Sequence, residues 1–570
     1  MDGKRRTTTV LVVGAIALLS TFPLFTPSAT YGPVHDLPFH IARIQSIAQG
    51  LQAGVFPVRL YAAQASNFGY PCGICYPDLF LYVPGVLVAL GMHPWPAYVL
   101  FVLLVNLATA AIAAYAFSRV FCSERVGLLC ATLWVLSPYR LCDVWLRAAV
   151  GEYLALAFAP LIVLGLWRVF LDEKSEPGLG WLTLALGASA VIYSHVLSVA
   201  MFLAFALLAM IPLALWRKKS GCALAIAKAA GVTVLLTAAF LVPFLDYYLH
   251  HDLGVKYFGN SAHEHSLYPL QAAVPFQAFR GSSVALGEAG DEMPLEVGIA
   301  LLVVLFVSVP VCVVSSLHRA DQERWRRWVV LLACSSVAVL LLTTCLFPWG
   351  YDGPLTPLKA VVDAAATIQF PWRLLGIASL RLVLLAGSLA AYAVPRMRVL
   401  WVVCVVLCVV EACYGGVSYL LNAQPLEVGQ HSVAGMDIGM GEYVPIQQSK
   451  DFAQNWDSFE PVAPDAVEIG GFARTTPQET CLHVHNASDQ TQRVRLPLFW
   501  HQQLQVEPSD AGATLAWDDS YAALDVAPHA SLDVTVAFVE PLLWRIAMHV
   551  SALTLLALVV LSIRARGTIP

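Results

Sequence analysis

The chain has 570 residues, of which 58% are hydrophobic and only 12% charged, with a mean hydropathy of +0.69 and a formal net charge of −5. A composition this apolar excludes a water-soluble globule and places the chain among polytopic membrane proteins. The slight acidity decides little, because in such proteins the side on which Lys and Arg fall matters more than their sum, and nothing in the sequence points to nucleic-acid binding.

The first element is an apolar run over about 8–27, preceded by Lys4-Arg5-Arg6. It has the basic end of a secretory signal but no convincing small-residue cleavage site, and more spans follow. It therefore reads as a retained helix with its basic end in the cytoplasm. A polar stretch comes next, Tyr31-Gly32-Pro33-Val34-His35-Asp36-Leu37-Pro38-Phe39-His40-Ile41-Ala42-Arg43, which opens a first external loop over 28–95. From His40 to Leu51 the apolar residues recur at three and four, as in a helix lying along the membrane interface and ending at Gly50. Gly54–Arg59 and Asn67–Pro71 read as turns leading to Cys75-Tyr76-Pro77-Asp78. The apolar segment Leu79–Met92 is short and broken by Pro84-Gly85, and reads as a half-inserted or interfacial helix.

Further membrane-length segments fall near 96–119, 125–139, 148–168, 178–195, 197–215, 223–245, 294–317, 328–348, 372–393, 398–421 and 541–563, making twelve in all. With that count Arg119/Arg125, Arg168/Lys174, Arg217-Lys218-Lys219, Arg319 to Arg327, Arg396/Arg398 and Arg564/Arg566 share the side of Lys4-Arg5-Arg6, as the positive-inside rule requires. Counting 79–92 as a full crossing would invert every later loop. The external parts are then 28–95, 140–147, 246–293, 349–371 and 422–540. Over the last of these the chain turns polar, with alternating stretches such as Thr480–Asn486, Gln492–Leu496 and Ser531–Phe538 between turn residues, the pattern of a small β-sandwich. The expected organisation is a membrane domain over 1–421, a β-rich extracytoplasmic domain over 422–540, and a last span and cytoplasmic tail over 541–570. Both termini are placed in the cytoplasm.

The first external loop, the start of the helix at 148 and the start of the helix at 372 hold the groups capable of chemistry. Asp36 is a carboxylate just past a helix end. Such an acid is often a cap or a solvated group, yet here it lies between His35, Pro38 and His40 at a lipid boundary, where a base for proton transfer is the stronger reading. Glu152 sits one turn into an apolar helix, where an ionisable group is functional by default, although simple neutralisation of Arg147 is an equal alternative. Arg43, Arg59, Arg147, Arg280 and Arg373 lie near external boundaries, and a guanidinium binds phosphate oxygens through paired donors at any relevant pH. His195 closes its helix, where a structural role is the commoner case.

Other features weigh less. His35 and His40 could ligate a divalent metal with Asp36, without a recognised metal spacing. His250-His251-Asp252 and His263-Glu264-His265 read as wet loops first and metal sites second. A single Cys72-x-x-Cys75 allows a tight disulfide but is weak evidence for zinc. Trp349, Trp372 and Trp544 read as interfacial anchors, and Asn486-Ala487-Ser488 fits a glycosylation acceptor, a triplet that often arises by chance.

Several of these pieces together resemble a known family. His35-Asp36-Leu-Pro-Phe39-His40-Ile-Ala-Arg43, Gly54-Val-Phe-Pro57-Val-Arg59, Gly69-Tyr70-Pro71 with Tyr76-Pro77, Arg147-Ala-Ala-Val-Gly151-Glu152-Tyr153, Ser194-His195-Val-Leu-Ser198, Gln369-Phe-Pro371-Trp372-Arg373 and Gly441-Glu442-Tyr443-Val-Pro445 are similar to the bacterial YfhO-type membrane glycosyltransferases of the GT-C superfamily. That group is also called the 6-pyruvoyl-tetrahydropterin-synthase-related membrane family. The resemblance implies a GT-C fold in a bacterial cytoplasmic membrane. It also implies transfer of a sugar from a polyprenyl-phosphate carrier to an extracytoplasmic glycan, lipid or protein, with Asp36 at the position of the catalytic acid. His35, His40, Arg43, Arg59, Arg147, His195, Arg280 and Arg373 are the candidate substrate contacts, Asp36 and Glu152 the candidate catalytic pair, and no cofactor is expected beyond a possible divalent metal. Cys72-Gly-Ile-Cys75 departs from the pattern. The competing readings are a transporter or flippase of lipid-linked saccharides, which would favour internal repeats and broken helices, and a non-catalytic scaffold for envelope assembly.

Overall fold

The computed structural model describes residues 3–25, 30–31, 35–62, 64–172, 177–217, 221–257, 262–280, 293–318, 323–392, 397–425, 441–444, 460–507, 512–518 and 521–567. Pro445 and the basic residues Lys174, Lys218, Lys219, Arg319 and Arg396 lie outside them. The helices are α1 Gly3–Leu19, α2 Leu37–Gln52, α3 Cys72–Cys75, α4 Tyr82–Ala89, α5 Pro94–Val120, α6 Glu124–Val135, α7 Pro138–Trp145, α8 Val150–Phe170, α9 Pro177–Ile192, α10 Val196–Arg217, α11 Cys222–His250, α12 Ile299–His318, α13 Glu323–Leu342, α14 Thr356–Ala366, α15 Leu374–Tyr392, α16 Arg398–Asn422 and α17 Leu542–Gly567. The strands are β1 Thr30–Tyr31, β2 Gln424–Pro425, β3 Val467–Thr476, β4 Glu479–Asn486, β5 Gln492–Phe499, β6 Leu504–Glu507, β7 Ala513–Asp518, β8 Tyr521–Val526 and β9 Ser531–Phe538.

Each predicted apolar segment contains a helix among the described residues. Among the described residues seven helices are long and apolar enough to cross a membrane, so the protein is a multi-pass membrane protein. α6 is the clearest departure. Its 12 residues, capped by Ser123, whose hydroxyl accepts from the Val126 N–H, reach only about 18 Å, short of a hydrocarbon core. Two helices, α7 and α14, occupy stretches read from the sequence as plain external loops.

The chain divides into two compact units. The first comprises Met1–Leu37, Val99–Thr233 and Gly259–Val428. In it α8 packs along α9, and α15 packs against α6, α12 and α13. The α8–α9 contact is close because Gly165 faces Leu184, where a Cβ would lie 2.8 Å from its backbone, the small-residue device that lets membrane helices approach. Trp349 and Trp372, read as interfacial anchors, are buried inside the protein. His263 and Glu264 are exposed as expected, whereas the His265 ring packs on Phe370 and Trp372 at centroid distances of 4.7 and 5.3 Å.

The second unit comprises Pro38–Tyr98, Val234–Phe258 and Gly429–Pro570. Here the alternation read in the sequence becomes two antiparallel sheets, ordered β3-β4-β9-β6 and β5-β8-β7, whose inner faces share a core that includes Val484, Val494, Leu524, Val526 and Val536. α2 runs through Gly50 rather than stopping there. A Cβ at Gly50 would lie 2.3 Å from the Val58 side chain, so the glycine serves close packing, and the turn comes at Gly54 with φ +76°.

Four features singled out in the sequence have defined surroundings in this unit. Cys72 and Cys75 lie in the four-residue α3 as buried free thiols, and burial pushes Cys72 up to about 12. Asn486 is buried, its Nδ2 donating to the carbonyls of Gln490, Val526 and Ala527, so it is a structural amide and not a glycan acceptor. Trp544 is buried and donates its indole N–H to Asp246 at 2.7 Å. His251, read as part of a wet loop, is buried and stacked on Tyr247 at 3.8 Å.

Candidate functional site

In the first unit α7 ends in a short turn that carries the chemistry. The helix begins at Ser137-Pro138, where proline is tolerated because its missing N–H is not needed, and closes after Trp145. Asp143 and Arg147 lie four residues apart at its end and form an ion pair at 2.5 Å. Ala148, with φ +49°, reverses the chain, and α8 starts two residues on, bringing Glu152 back beside Arg147.

Glu152 is the hub of a buried charge cluster. Arg147 donates from Nη1 to Oε2 and from Nη2 to Oε1, both at 2.9 Å, a bidentate fork. Arg373, in the turn before α15, donates from Nε to Oε1 at 2.7 Å. Tyr139 donates its hydroxyl to Oε2 at 2.9 Å. Arg147, Glu152, Asp143, Tyr139 and Arg373 are all less than a tenth exposed. Charges so deep are retained only when paired and hydrogen-bonded, as they are here.

Asp36 joins this cluster through the backbone. Its N–H donates to the carbonyl of Arg147 at 3.0 Å, which fixes the backbone of residue 36 at the same turn. The side chain is half-buried. Burial pushes its carboxyl above the ordinary range and Glu152 adds to the rise, while Arg147 and Arg373 oppose it. Asp36, Arg147, Glu152 and Arg373, scattered over more than 300 positions of sequence, are therefore one constellation.

Arg373 has the donors best placed for a ligand. Its Nη1 donates to the Ile368 carbonyl at 2.7 Å and to Gln369 Oε1 at 3.2 Å, with Gln369 held at φ +63°. Among the described residues its Nη2 makes no hydrogen bond within the protein. A tight cavity of about 10 Å³, room for roughly one water, is lined by Arg373, Glu152, Tyr139, Ser198 and Met201. His195 is within Coulombic reach of Glu152, and its Nδ1 shares a hydrogen bond with Ser198 Oγ at 3.0 Å.

Other predicted contacts stand differently. His35 is exposed. Arg280 makes no ion pair among the described residues, and its buried Nε has no partner. Arg43, His40 and Arg59 belong to the second unit. Arg43 is fully buried, donating to the Pro77 carbonyl at 2.6 Å and stacking 4.2 Å from the Tyr76 ring, with His40 Nδ1 at 3.2 Å. Arg59 is paired with Glu540 and lies 5.7 Å from the Trp544 ring. Arg43 and Arg59 thus engage partners inside their own unit, apart from Glu152, and among the described residues the Arg43 Nε has no partner. Among the described residues no three His, Cys, Asp or Glu side chains converge as a metal site. The sequence reading missed Asp143 and Tyr139. The signal present for the former was its i,i+4 spacing from Arg147 in a short polar segment.

Neither a family model nor a curated protein matches the chain. Among solved structures it is similar to the arabinofuranosyltransferase AftD from mycobacteria, with a TM-score of 0.41 and 14% identity over 75% of this chain and 28% of that one. It is also similar to ArnT from Cupriavidus metallidurans in the apo state, with a TM-score of 0.32 and 12% identity over 68% of this chain and 78% of that one. A third likeness is to ArnT bound to undecaprenyl phosphate, with a TM-score of 0.30 and 13% identity over 68% and 77% of the two chains. The chain spans little more than a quarter of AftD. Likenesses this distant carry no argument about chemistry, which rests on the constellation itself.

Proposed function

We propose that the protein is a GT-C-type membrane glycosyltransferase that moves a sugar from a polyprenyl-phosphate-linked donor to an extracytoplasmic acceptor. The observation that carries this reading is the Asp36 N–H bond to the Arg147 carbonyl, which holds residue 36 at the turn of the charge cluster with its carboxyl within Coulombic reach of Arg147 and Arg373. Asp36 is the general base. It takes the acceptor hydroxyl proton as the oxygen attacks the anomeric carbon, and the bond from that carbon to the phosphate oxygen breaks. The leaving carrier phosphate keeps the electron pair, and fixed positive charge stabilises it.

In this reading the charge balance supports the following roles. Glu152 and Asp143 together offset Arg147 and Arg373, so Glu152 is a positioning group that aims the arginines rather than a second base. Arg373 is the phosphate ligand through Nη2, and Arg147 supplies field and orientation. The motif similarity supports a lipid-linked donor, and the burial of the constellation in a membrane unit agrees with a substrate delivered from lipid.

The test is transfer from radiolabelled polyprenyl-phosphate sugars to membrane acceptors by the purified protein, comparing wild type with Asp36→Asn. Loss of transfer with donor binding retained is expected. Unchanged transfer by the isosteric variant removes Asp36 from the mechanism, and donor-independent movement of labelled lipid across vesicles favours a flippase.

A further inference from the structure

α8 runs from the charge cluster to a second feature in the same unit. Arg168 lies sixteen residues after Glu152 on this helix, about 24 Å along its axis, most of the thickness of a hydrocarbon core. If Glu152 belongs to one bilayer face, Arg168 belongs to the other. At that far end a groove of about 1130 Å³ opens, larger than the roughly 300–1,000 Å³ of sites for drug-sized ligands.

The groove has an apolar length and a charged mouth. Val10, Leu107 and Leu128 line its wall, and the first two are 69% and 42% exposed. Two cations are organised around one ring at the mouth. Arg168 donates to Thr183 Oγ1 at 2.6 Å and to the Tyr115 hydroxyl at 3.0 Å, and Arg119 lies 5.5 Å from the Tyr115 ring centroid. Among the described residues neither guanidinium makes an ion pair within the protein. Glu124 and Asp172 line the same mouth, so the site presents both signs of charge side by side.

We propose that this groove holds one phospholipid with a primary-ammonium headgroup, drawn from the leaflet opposite the Asp36 cluster. The acyl chains lie along the wall near Val10 and Leu107, where they replace exposed apolar surface. The phosphate sits between Arg119 and Arg168, which offer charge-assisted donors, and the ammonium faces Glu124. A headgroup with only negative charge would leave Glu124 opposed to it. A choline headgroup lacks the N–H donors a carboxylate accepts.

The test uses the full chain in phosphatidylcholine vesicles with phosphatidylethanolamine that carries a photoreactive acyl chain, followed by mapping of labelled peptides. Labelling is expected in the α1 and α5 segments near Val10 and Leu107, competed by unlabelled phosphatidylethanolamine and not by added phosphatidylcholine. Arg119→Gln with Arg168→Gln is expected to cut it about tenfold through loss of charge-assisted bonds, whereas Arg168→Lys, which keeps the charge, guards against simple misfolding by retaining most of it. Labelling that is equal in the double variant, or spread evenly over all lipid-facing helices, overturns the site. Equal competition by phosphatidylglycerol or phosphatidylcholine overturns the assignment of an ammonium headgroup.

Discussion

The backbone N–H of Asp36 donates to the carbonyl of Arg147 at 3.0 Å, tying the start of the first external loop to the turn between α7 and α8. Because this bond is made by main chain, it anchors the backbone of residue 36 without consuming the carboxylate. An isosteric change at the side chain should therefore leave the anchor intact. Asp36→Asn is expected to reduce transfer by about 10²–10⁴, the usual worth of a positioned general base, with an unchanged melting temperature in detergent. An equal loss of thermal stability would instead mark Asp36 as structural.

The acid limb of the pH–activity profile should report Asp36. Its carboxyl is raised above 3.8 by burial, so it becomes a competent base only as pH climbs past that raised value, and activity is lost on acidification below it. Arg373 works against the rise. Arg373→Gln should move the limb to higher pH, and Arg373→Lys should move it less, whatever either does to the maximal rate. A limb that stays at the same pH in Arg373→Gln separates the two groups.

Glu152 accepts from Arg147, Arg373 and Tyr139 at 2.7–2.9 Å. Replacing it by Gln strands two buried guanidiniums, and breaking such a pair costs about 3–5 kcal/mol. The expected signature is a marked fall in melting temperature together with weaker donor binding, and Asp143→Asn should show a milder version of both. A Glu152→Gln protein with wild-type stability and lost activity would make Glu152 a catalytic group after all.

In the second unit His501 joins three segments. The short Nε2 contact of 3.0 Å to the Gly69 carbonyl requires the proton on that nitrogen, so Nδ1 accepts the Tyr247 hydroxyl at 2.7 Å. Burial lowers His501 to about 3 and His251 to about 4. Both are neutral in the fold and charged in the unfolded chain below the ordinary value near 6.5. The stability they support is therefore complete above that pH and declines as pH falls toward 4, by up to about 1.4 kcal/mol per histidine per pH unit. Acid-dependent melting followed by tryptophan fluorescence should lose about half of this slope in His501→Phe, the rest being the share of His251.

Cys72 and Cys75 are free and buried, so the native protein should behave identically with and without reductant. Mass spectrometry after alkylation should show both thiols unmodified in the folded protein and modified once it is denatured. A disulfide mass shift between the two cysteines would contradict this.

Membrane class, helix positions and the β-rich segment were legible because each is written in local terms. Apolar runs of bilayer length and strict alternation over 480–486 and 531–538 are periodicities that short-range chemistry imposes. Asp36, Arg147, Glu152 and Arg373 could be named individually, since an ionisable group at a helix mouth is costly and conspicuous. What the chain's order could not reveal was pairing. Arg43, Arg59 and Arg373 look alike in sequence, yet the first two are spent on a carbonyl, a tyrosine ring and Glu540, and only the third meets Glu152. The same holds for His251, read as part of a wet loop, and for Trp544, read as an interfacial anchor, both of which are buried. Whether a charge binds substrate or braces the fold depends on which partner lies within about 3 Å, and contacts across hundreds of residues are settled only when the helices and sheets have packed.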